Sequence, residues 1–343
     1  MSFTVTVLPS GRTFGVEPNE TVLAASIRQN VGLPYGCKDG ACSSCKSRLL
    51  EGQVQHGAHQ AKALSPREEE QGLMLTCCAT ARSDLSIEAR TVPGAGEFPV
   101  RKMPCRVISI SRAAPDVILL HLQLPSGQPL QYHAGQYVEF LLTGGDRRSY
   151  SLASAPHRQT DRPSIELHIR HMPGGLFTDH VFDDMKVKEV LRLEGPSGSF
   201  FLREDSTKPV VLLASGTGFA PVKAMIEHIE FKAIDRPVVL YWGCRSKVDL
   251  YLHGWALEAA ERIPNLSYVP VLSAPLPEDD WTGRTGFVHQ ALMADLPDLS
   301  GHQVYACGAP VMVESAERDL VALCKLPGDE FYADSFTSEA DKH

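Results

Sequence analysis

Four cysteines near the N-terminus form the pattern with the clearest chemistry. Cys37, Cys42 and Cys45 are spaced C-x4-C-x2-C, and Cys77 stands alone further along the chain. This spacing is typical of a [2Fe-2S] cluster, in which four thiolates hold two irons. A zinc site is the main alternative, but the spacing is unusual for zinc. We therefore expect the four thiols to be cluster ligands, three on one short loop and the fourth from a separate strand. Cys78, next to Cys77, is expected to point the other way along that strand, since side chains alternate.

Two glycine-containing turns further along the chain have the chemistry of phosphate-binding sites. Gly174 and Gly175 precede a stretch predicted to be helical, and a turn that opens a helix exposes free N–H groups that can hold a pyrophosphate. Arg148, in the tetrapeptide Arg-Ser-Tyr-Ser, could bind the same phosphates from the opposite side. Each of these signals is weak by itself.

The second turn, Gly216-Thr217-Gly218-Phe219-Ala220-Pro221, directly follows the predicted strand 210–215. Its glycines allow the backbone to approach a ligand, and we expect Pro221 at the first helical position. The Cys307-Gly308-Ala309-Pro310 loop also follows a strand. Because strand carboxyl ends line the ligand crevice of an open α/β sheet, we expect residues 216–221, 243–247 and 307–312 to converge.

Composition limits the classes of partner. The chain has 343 residues, a net charge of −8 and nine cysteines. The acidic balance argues against nucleic acid as a partner, because a phosphate-binding surface needs clustered Lys and Arg. We expect no signal peptide and no membrane-spanning segment, and hence a cytoplasmic protein that does not bind membranes.

The elements that must position these residues fall into three segments, which predict a multidomain α+β and α/β protein. Residues 1–92 show the strand-strand-helix order of a β-grasp ferredoxin domain. Residues 103–205 consist of short alternating strands, which indicate an antiparallel β-barrel. Residues 206–343 alternate strand and helix, which predicts a parallel-sheet α/β domain. A linker is expected between residues 91 and 102.

Taken in order, four motifs resemble the ferredoxin-NADP reductase superfamily over residues 103–343. They are Arg-x-Tyr-Ser at 148–151, Gly-Gly-x-x-Thr at 174–178, Gly-Thr-Gly-x-Ala-Pro at 216–221 and Cys-Gly-x-Pro at 307–310. With a ferredoxin segment in front, the whole chain resembles an iron-sulfur flavoprotein reductase. The resemblance implies three cofactors, namely a [2Fe-2S] cluster, FAD and NADH, with NADPH as the alternative nicotinamide.

The resemblance also implies roles for individual residues. In the second segment, Tyr150 would stack on the isoalloxazine and Ser151 would lie near flavin N5. The other flavin-binding residues implied there are Arg148, His168, Ile169, Arg170, Gly175 and Thr178. In the third segment, Cys307 would lie beside the nicotinamide. The other nicotinamide dinucleotide-binding residues implied there are Gly216, Thr217, Gly218, Pro221, Arg245, Gly308, Pro310 and Met312. Phe336 would cover the flavin face or, equally well, be a core aromatic.

The electron acceptor stays open at this point. The resemblance is strongest to the reductases of 3,6-dideoxysugar synthesis, which implies as acceptor the pyridoxamine-phosphate-dependent (PMP-dependent) CDP-6-deoxy-4-hexulose 3-dehydrase. The reductase components of aromatic-ring or diiron oxygenases share the same order of segments. A free-standing flavin or ferric reductase is a third alternative. A non-catalytic binding module is the least expected one. In every electron-transfer reading, the cofactors supply the redox chemistry and the protein positions them.

Overall fold

The computed structural model describes residues 2–159 and 162–336. The last seven residues of the predicted third domain therefore lie outside the described residues. The chain forms two compact units. Among the described residues, the first contains those up to Pro99, the short segment Gly198–Phe200 and Asp334, Ser335 and Phe336, and the second contains those from Val100 to Ser197 and from Phe201 to Ala333.

The described part of the first unit contains a five-stranded mixed sheet, a two-stranded sheet and two helices. The strands and helices are β1 (Phe3–Leu8), β2 (Arg12–Val16), α1 (Val22–Arg28), β3 (Lys46–Glu51), β4 (Val54–Gln55), α2 (Pro66–Glu70), β5 (Leu73–Leu75), β6 (Thr80–Ala81) and β7 (Leu85–Glu88). The five-stranded sheet has the order β2-β1-β7-β3-β5, in which β1 and β7 are parallel and the other pairs antiparallel. The two-stranded sheet is formed by β4 and β6. This is the predicted β-grasp arrangement.

Local sequence explains where the helices of this unit begin. Thr21 has an extended backbone, and its hydroxyl accepts a hydrogen bond from Ala24 N, so it caps α1. Ser65 and Glu68 form a capping box at α2, where Pro66 takes the first turn. Val22, Leu23 and Ala25 of α1 are buried in a core with strand residues such as Val5. Burial of this face stabilises the helix, since seven residues are too few for a helix that is stable alone.

The second unit begins with an antiparallel barrel. Its elements are β8 (Arg101–Ala114), β9 (Val117–Gln123), β10 (Tyr137–Leu141), β11 (Arg147–Ser151), β12 (Ser164–Arg170), α3 (Leu176–Asp179) and β13 (Val190–Ser197). The strands lie in the order β11-β10-β13-β8-β9-β12. A bridge between Leu152 and Leu167 joins the two ends of this sheet and closes the barrel. The barrel prediction is confirmed, although β8 begins at Arg101, inside the predicted linker.

The rest of the second unit contains a parallel sheet with helices. Its elements are β14 (Val210–Ser215), α4 (Phe219–Lys232), β15 (Val238–Cys244), α5 (His253–Arg262), β16 (Leu266–Leu272), β17 (Arg284–Thr285), α6 (Val288–Asp295), β18 (Gln303–Gly308), α7 (Pro310–Leu323) and β19 (Phe331–Ser335), of which Phe331–Ala333 belong to this unit. The order is β17-β16-β15-β14-β18-β19, and β14 runs parallel to both β15 and β18. Val210–Ala214 is buried throughout, as expected for a central strand covered on both faces.

Two boundary predictions differ from the structure. Helix α4 begins at Phe219, so Pro221 is its third residue and not its first. Proline is tolerated there because the first four N–H groups of a helix have no intrahelical partner. The stretch predicted as a helix from Asp179 to Met185 is instead the short α3 followed by a wider π-type turn over His180–Asp184. Within the described residues, no helix is long and apolar enough to cross a membrane.

Candidate functional site

The four predicted cluster ligands lie close together in the first unit as two pairs of thiols. The sulfurs of Cys45 and Cys77 are 3.2 Å apart, and both residues are buried. Cys37 and Cys42 form the second pair, in which Cys37 N donates to the Cys42 sulfur at 3.3 Å. Each iron of a [2Fe-2S] cluster takes two protein ligands. The paired thiols therefore fit a two-iron cluster.

The backbone of the ligand loop approaches the sulfurs closely. Ala41 N donates to the Cys37 sulfur at 3.4 Å. A Cβ atom at Gly36 would lie 3.3 Å from the Cys42 sulfur, so a side chain at this position would crowd that ligand. N–H groups aimed at sulfur stabilise the thiolate and tune the potential of a cluster. Among the described residues, no three metal-ligating side chains converge on one point for a single ion.

The ionisation of the thiols depends strongly on their neighbours. The Cys77 sulfur, together with burial, raises the pKa of Cys45 far above its usual range. A hydrogen bond with Cys37 lowers the pKa of Cys42 to about 6, against the opposing effect of burial. Because thiolates are the metal-binding form, we expect iron to displace a proton from Cys45 on assembly of the cluster.

Cys78 lies beside the ligands, contrary to the sequence-based expectation. Side-chain alternation along a strand predicted that Cys78 points away from Cys77. The strand β5 ends at Leu75, however, and both cysteines lie in the turn that follows it. The two sulfurs are 3.5 Å apart, and a Cβ atom at Gly40 would lie 2.8 Å from the Cys78 sulfur. The first unit therefore has a fifth thiol at the ligand loop.

Ser43 also has an identifiable structural role. It adopts φ +63°, the left-handed conformation that glycine takes most easily. Its hydroxyl donates to the carbonyl of Ala63 at 3.2 Å. This hydrogen bond holds the loop between the second and third ligands.

The predicted flavin residues lie on two neighbouring strands of the barrel. Arg148, Tyr150 and Ser151 belong to β11, whereas His168, Ile169 and Arg170 belong to β12. The Tyr150 ring packs against Phe140 and Phe177, with centroids 5.9 Å and 5.3 Å away. Burial raises the pKa of Tyr150, so its phenol stays protonated at neutral pH. The Arg148 guanidinium donates to the carbonyl of Arg147 at 2.8 Å.

In the glycine turn before α3, several polar groups are already hydrogen-bonded to one another. The Thr178 hydroxyl donates to the carbonyl of Met172 at 2.9 Å, and Gly175 N donates to the same carbonyl at 2.8 Å. Gly174 N donates to the carboxylate of Asp179 at 3.0 Å. Gly174 has φ +81°, which explains the glycine there. Thr178 therefore shapes the turn, and a phosphate would compete with Asp179 for the amide of Gly174.

The strand ends of the parallel sheet converge as predicted. A Cβ atom at Gly218 would lie 2.1 Å from the carbonyl oxygen of Cys307, and one at Gly308 would lie 2.2 Å from the Ser215 hydroxyl. Such distances leave room only for glycine at both positions. Thr217 and Cys307 are buried there, and Trp242 Nε1 donates to the carbonyl of Gly216 at 3.0 Å. The loops after β14, β15 and β18 thus form one site.

Some of the predicted nicotinamide residues lie elsewhere or are already partnered. Met312 is buried in the hydrophobic core of the sheet. Arg245 is exposed, whereas Ser246 is buried and donates to Asp249 through its amide and hydroxyl. The Lys247 ammonium donates to the carbonyl of Asp279 at 3.1 Å. Pro310 begins α7. Phe336 is half-buried and belongs to the first unit, and its role at the flavin stays a prediction.

Arg170 lies between the barrel and the Gly216–Gly218 loop that follows β14, within the second unit. Its Nε donates to Asp116 at 2.8 Å, and a guanidinium nitrogen lies 4.0 Å from the carboxylate of Asp249. A Cβ atom at Gly216 would lie 2.8 Å from the same guanidinium. Arg170 was predicted beside the flavin, and the structure brings its side chain to the first glycine of the other loop.

A buried charged cluster beside this site was missed by sequence reasoning. Lys223 of α4 lies 3.1 Å from Glu166 of β12 and 2.9 Å from Glu227. Glu166 also hydrogen-bonds to His168 at 2.8 Å, and Arg158 lies 3.2 Å from Glu227. A Lys and a Glu four residues apart on a helix are ordinary surface residues in most sequences. Only the packing of the barrel against α4 shows that this pair is buried.

Comparison with known proteins agrees with this geometry. Residues 5–82 match the family described as 2Fe-2S iron-sulfur cluster binding domain, residues 104–202 the oxidoreductase FAD-binding domain, and residues 212–318 the oxidoreductase NAD-binding domain. The chain is 40% identical to a CDP-6-deoxy-L-threo-D-glycero-4-hexulose-3-dehydrase reductase of Yersinia pseudotuberculosis, over 98% of this chain and 99% of that protein.

Two further relatives belong to oxygenase systems. The reductase component of a Pseudomonas phenol 2-monooxygenase is 34% identical over 99% of this chain and 96% of its own length. A solved cytochrome P450 reductase from Amycolatopsis superposes with a TM-score of 0.80 at 34% identity, covering 98% of this chain and 99% of that one. Since these matches run nearly end to end, the chain belongs to the ferredoxin-fused branch of the ferredoxin-NADP reductase superfamily, whose members carry electrons from NAD(P)H through FAD and a [2Fe-2S] cluster to a partner.

Proposed function

We propose that this chain acts as a CDP-6-deoxy-3,4-glucoseen reductase. Its electron acceptor is then the PMP-dependent CDP-6-deoxy-4-hexulose 3-dehydrase of 3,6-dideoxysugar synthesis. The observation that supports this acceptor is the 40% identity to the Yersinia dehydrase reductase over nearly the full length of both chains. The oxygenase reductase components are 33% or 34% identical over similar lengths, and an aromatic O-demethylase reductase is 37% identical over 92% of this chain.

We assign the site residues as follows. Bound nicotinamide, FAD and cluster would supply the hydride and electron chemistry, and the protein binds and orients each of them. Cys37, Cys42, Cys45 and Cys77 hold the irons. Arg148 and the turn at Gly175 hold the flavin phosphates, Tyr150 stacks on the flavin, and Ser151 lies near N5. Gly216, Thr217, Gly218, Cys307 and Gly308 form the nicotinamide cleft.

We also propose that NADH is preferred over NADPH. The carboxylate of Asp249 accepts both hydrogen bonds from Ser246 in the loop after β15, and Lys247 is engaged with Asp279. A phosphate on the ribose would meet the carboxylate of Asp249. Of the cations near that carboxylate, Arg170 is already paired with Asp116, and Arg245 is exposed. A cytoplasmic location is consistent with the nine cysteines, all within the described residues and all free thiols.

Purified components test the acceptor directly. The holoprotein is mixed with NADH and with either the dehydrase and its sugar substrate or the terminal component of a phenol or aromatic-ring oxygenase. We expect turnover with the dehydrase and little with the oxygenase. The reverse result would overturn the assignment.

A cluster variant separates electron transfer to a protein from free-standing reduction of small acceptors. Cys42→Ser is expected to abolish transfer to the dehydrase, while NADH still reduces the flavin. If Cys42→Ser supports the dehydrase as well as the parent protein does, the cluster is not on the route. Repeating both assays with NADPH measures the nicotinamide preference.

A further inference from the structure

The overall reaction leaves one proton to be removed at the flavin. One NADH and two oxidised one-electron acceptors give NAD⁺, two reduced acceptors and one proton. The hydride carries two electrons and this proton to the flavin, whereas the iron-sulfur cluster accepts electrons only. One proton per turnover must therefore travel from the buried flavin site to solvent.

A row of titratable side chains leads from the outer face of the barrel, where β12 packs against α4 and Tyr251, toward the surface. The His168 side chain is fully buried, and its two ring nitrogens lie 2.8 Å from the Tyr251 hydroxyl and 2.8 Å from Glu166. The other carboxylate oxygen of Glu166 lies 3.6 Å from His121. The His121 side chain is 36% exposed. The last gap is longer than a hydrogen bond, so one side-chain rotation or one bridging water must close it.

The inner end of this row faces the residue that we assign to flavin N5. The antiparallel bridge between Leu152 and Leu167 places Ser151 directly opposite His168. Residues opposite each other in adjacent strands project their side chains from the same face of the sheet. His168 and Glu166 also share a face, since they are two residues apart on β12. Ser151 is buried.

The surroundings of Glu166, His168 and Tyr251 keep each side chain in the protonation state that a proton relay needs. Burial opposes ionisation of Glu166, but the nearby His121, the hydrogen bond with His168 and the ammonium of Lys223 outweigh it and lower the pKa of Glu166. Burial lowers the pKa of His168, which is therefore neutral and able to accept a proton. Burial raises the pKa of Tyr251, so its hydroxyl keeps its proton. Because the ionised carboxylate of Glu166 can only accept, His168 Nε2 donates to it, and Nδ1 of the neutral ring accepts from the Tyr251 hydroxyl.

The remaining charged groups offset the negative charge of the buried carboxylates and do not interrupt the row of titratable side chains. Lys223 neutralises Glu166 and Glu227, and Arg158 reaches Glu227 from the surface. Replacing buried ion pairs with apolar residues is often neutral or stabilising, so stability alone does not explain such a cluster. A row of histidine, glutamate and histidine that runs from a buried site to a half-exposed one is suited to moving protons.

We propose that Tyr251, His168, Glu166 and His121 form the route by which the proton left on the flavin reaches solvent. The Tyr251 hydroxyl passes its proton to Nδ1 of His168 and takes up the proton from the flavin side. The Nε2 proton of His168 passes to Glu166, and Glu166 hands a proton to His121. The electrons go to the cluster by a separate path. This proposal rests on the assignment of Ser151 to flavin N5 and is independent of which protein accepts the electrons.

Stopped-flow absorbance of the holoprotein separates the two halves of the reaction. NADH reduces the flavin in one experiment, and excess ferricyanide reoxidises the reduced protein in the other, with a pH dye to report the released proton. Because ferricyanide replaces the physiological acceptor, failure of the dehydrase assignment does not affect the result. Glu166→Gln and His168→Gln preserve hydrogen bonding but interrupt the relay.

We expect at least a tenfold slower proton release and reoxidation in both variants, with a larger solvent isotope effect. In Glu166→Gln, flavin reduction by NADH and FAD content should change little. Added formate or imidazole should partly restore proton release. His180→Gln is the matched control. His180 lies 2.6 Å from Glu189 in the same unit and forms a similar histidine–glutamate pair, but it is not part of the proposed proton route. This variant should leave every rate unchanged.

Infrared difference spectra between the reduced and oxidised protein provide a readout that does not depend on turnover. A carboxyl band that responds to redox state and disappears in Glu166→Gln is expected. The proposal is wrong if flavin reduction and reoxidation slow equally, or if Glu166→Gln releases its proton at the parent rate. In that case the buried charged residues around Glu166 only stabilise the packing of the barrel against α4.

Discussion

The substitution Gly218→Ala tests the close approach of the loops that form the nicotinamide cleft. Gly218 has φ −58°, which alanine adopts without strain, so the effect of the added methyl group is purely steric. The new Cβ atom would lie 2.1 Å from the carbonyl oxygen of Cys307 and 2.7 Å from Gly308 Cα. Both neighbours are backbone atoms at the end of a buried strand and cannot rotate away.

The size of the effect follows from these distances. Real Cβ contacts essentially never fall below 3.0 Å, so the loop and the end of β18 must separate by about 1 Å. Overpacking of this kind costs about 1–3 kcal/mol of the free energy of unfolding. A misplacement of about 1 Å at a reacting centre can slow the reaction by roughly 100-fold. We expect flavin reduction by NADH to slow by about that factor.

The assay is anaerobic mixing of the oxidised holoprotein with increasing NADH, with flavin absorbance followed in time. FAD content and the visible spectrum of the cluster should match the parent protein, because neither lies in this loop. Gly254→Ala is the control: Gly254 lies in α5, and a Cβ atom there would have no neighbour within 4 Å. It should be neutral or stabilise the protein by up to about 1 kcal/mol.

A parent-like limiting rate and parent-like stability in Gly218→Ala would refute the steric argument. A slow rate in Gly254→Ala as well would show that the assay reports general damage and not the geometry of the cleft.

Three further perturbations test other parts of the molecule. Lys223→Met leaves the buried carboxylates of Glu166 and Glu227 without their shared cation, and urea unfolding should show a loss of about 3–5 kcal/mol; an unchanged midpoint would contradict the burial of this pair. Cys78→Ser should keep the visible and electron paramagnetic resonance spectra of the cluster, whereas Cys77→Ser should lose them; the opposite result would exchange the two ligand assignments. Hydrogen bonds from Lys46 and Ser65 lower the pKa of Glu68 from 4.5 to about 2, so its contribution to stability is full above pH 4.5 and is lost as the pH falls toward 2. Between pH 6 and pH 3 the parent should therefore lose more stability in urea than Glu68→Gln does, whereas the exposed control Glu70→Gln should behave like the parent; equal losses in all three proteins would contradict the capping box.

Much of the fold and the identity of the cofactors could be predicted because their determinants are local. Cys37, Cys42 and Cys45 lie on one loop, and the spacing of thiols on a short loop restricts which metal group they can hold. The strand and helix periodicities of the three segments predicted a β-grasp domain, an antiparallel barrel and a parallel sheet, and all three are present. The convergence of the loops at Gly218 and Cys307 followed from the general geometry of parallel sheets.

Other features depended on how the folded backbone places each side chain. Cys78 was expected to point away from Cys77, but β5 ends at Leu75 and the alternation rule does not extend into the turn. Thr178 was expected at a phosphate, and in the structure its hydroxyl bonds to the turn itself. Met312 follows the Cys-Gly-x-Pro motif, yet its side chain is in the core.

The sequence by itself determined the order of the three segments, the classes of cofactor and the family, since spacing and periodicity are properties of neighbouring residues. The tertiary structure alone decided that Glu166 and Lys223, 57 residues apart, share a buried site with His168. Nothing in a lysine or glutamate shows from the sequence whether water or another chain segment will surround it. That depends on how the barrel packs against α4, and the free energy of a charge depends on its surroundings more than on its type.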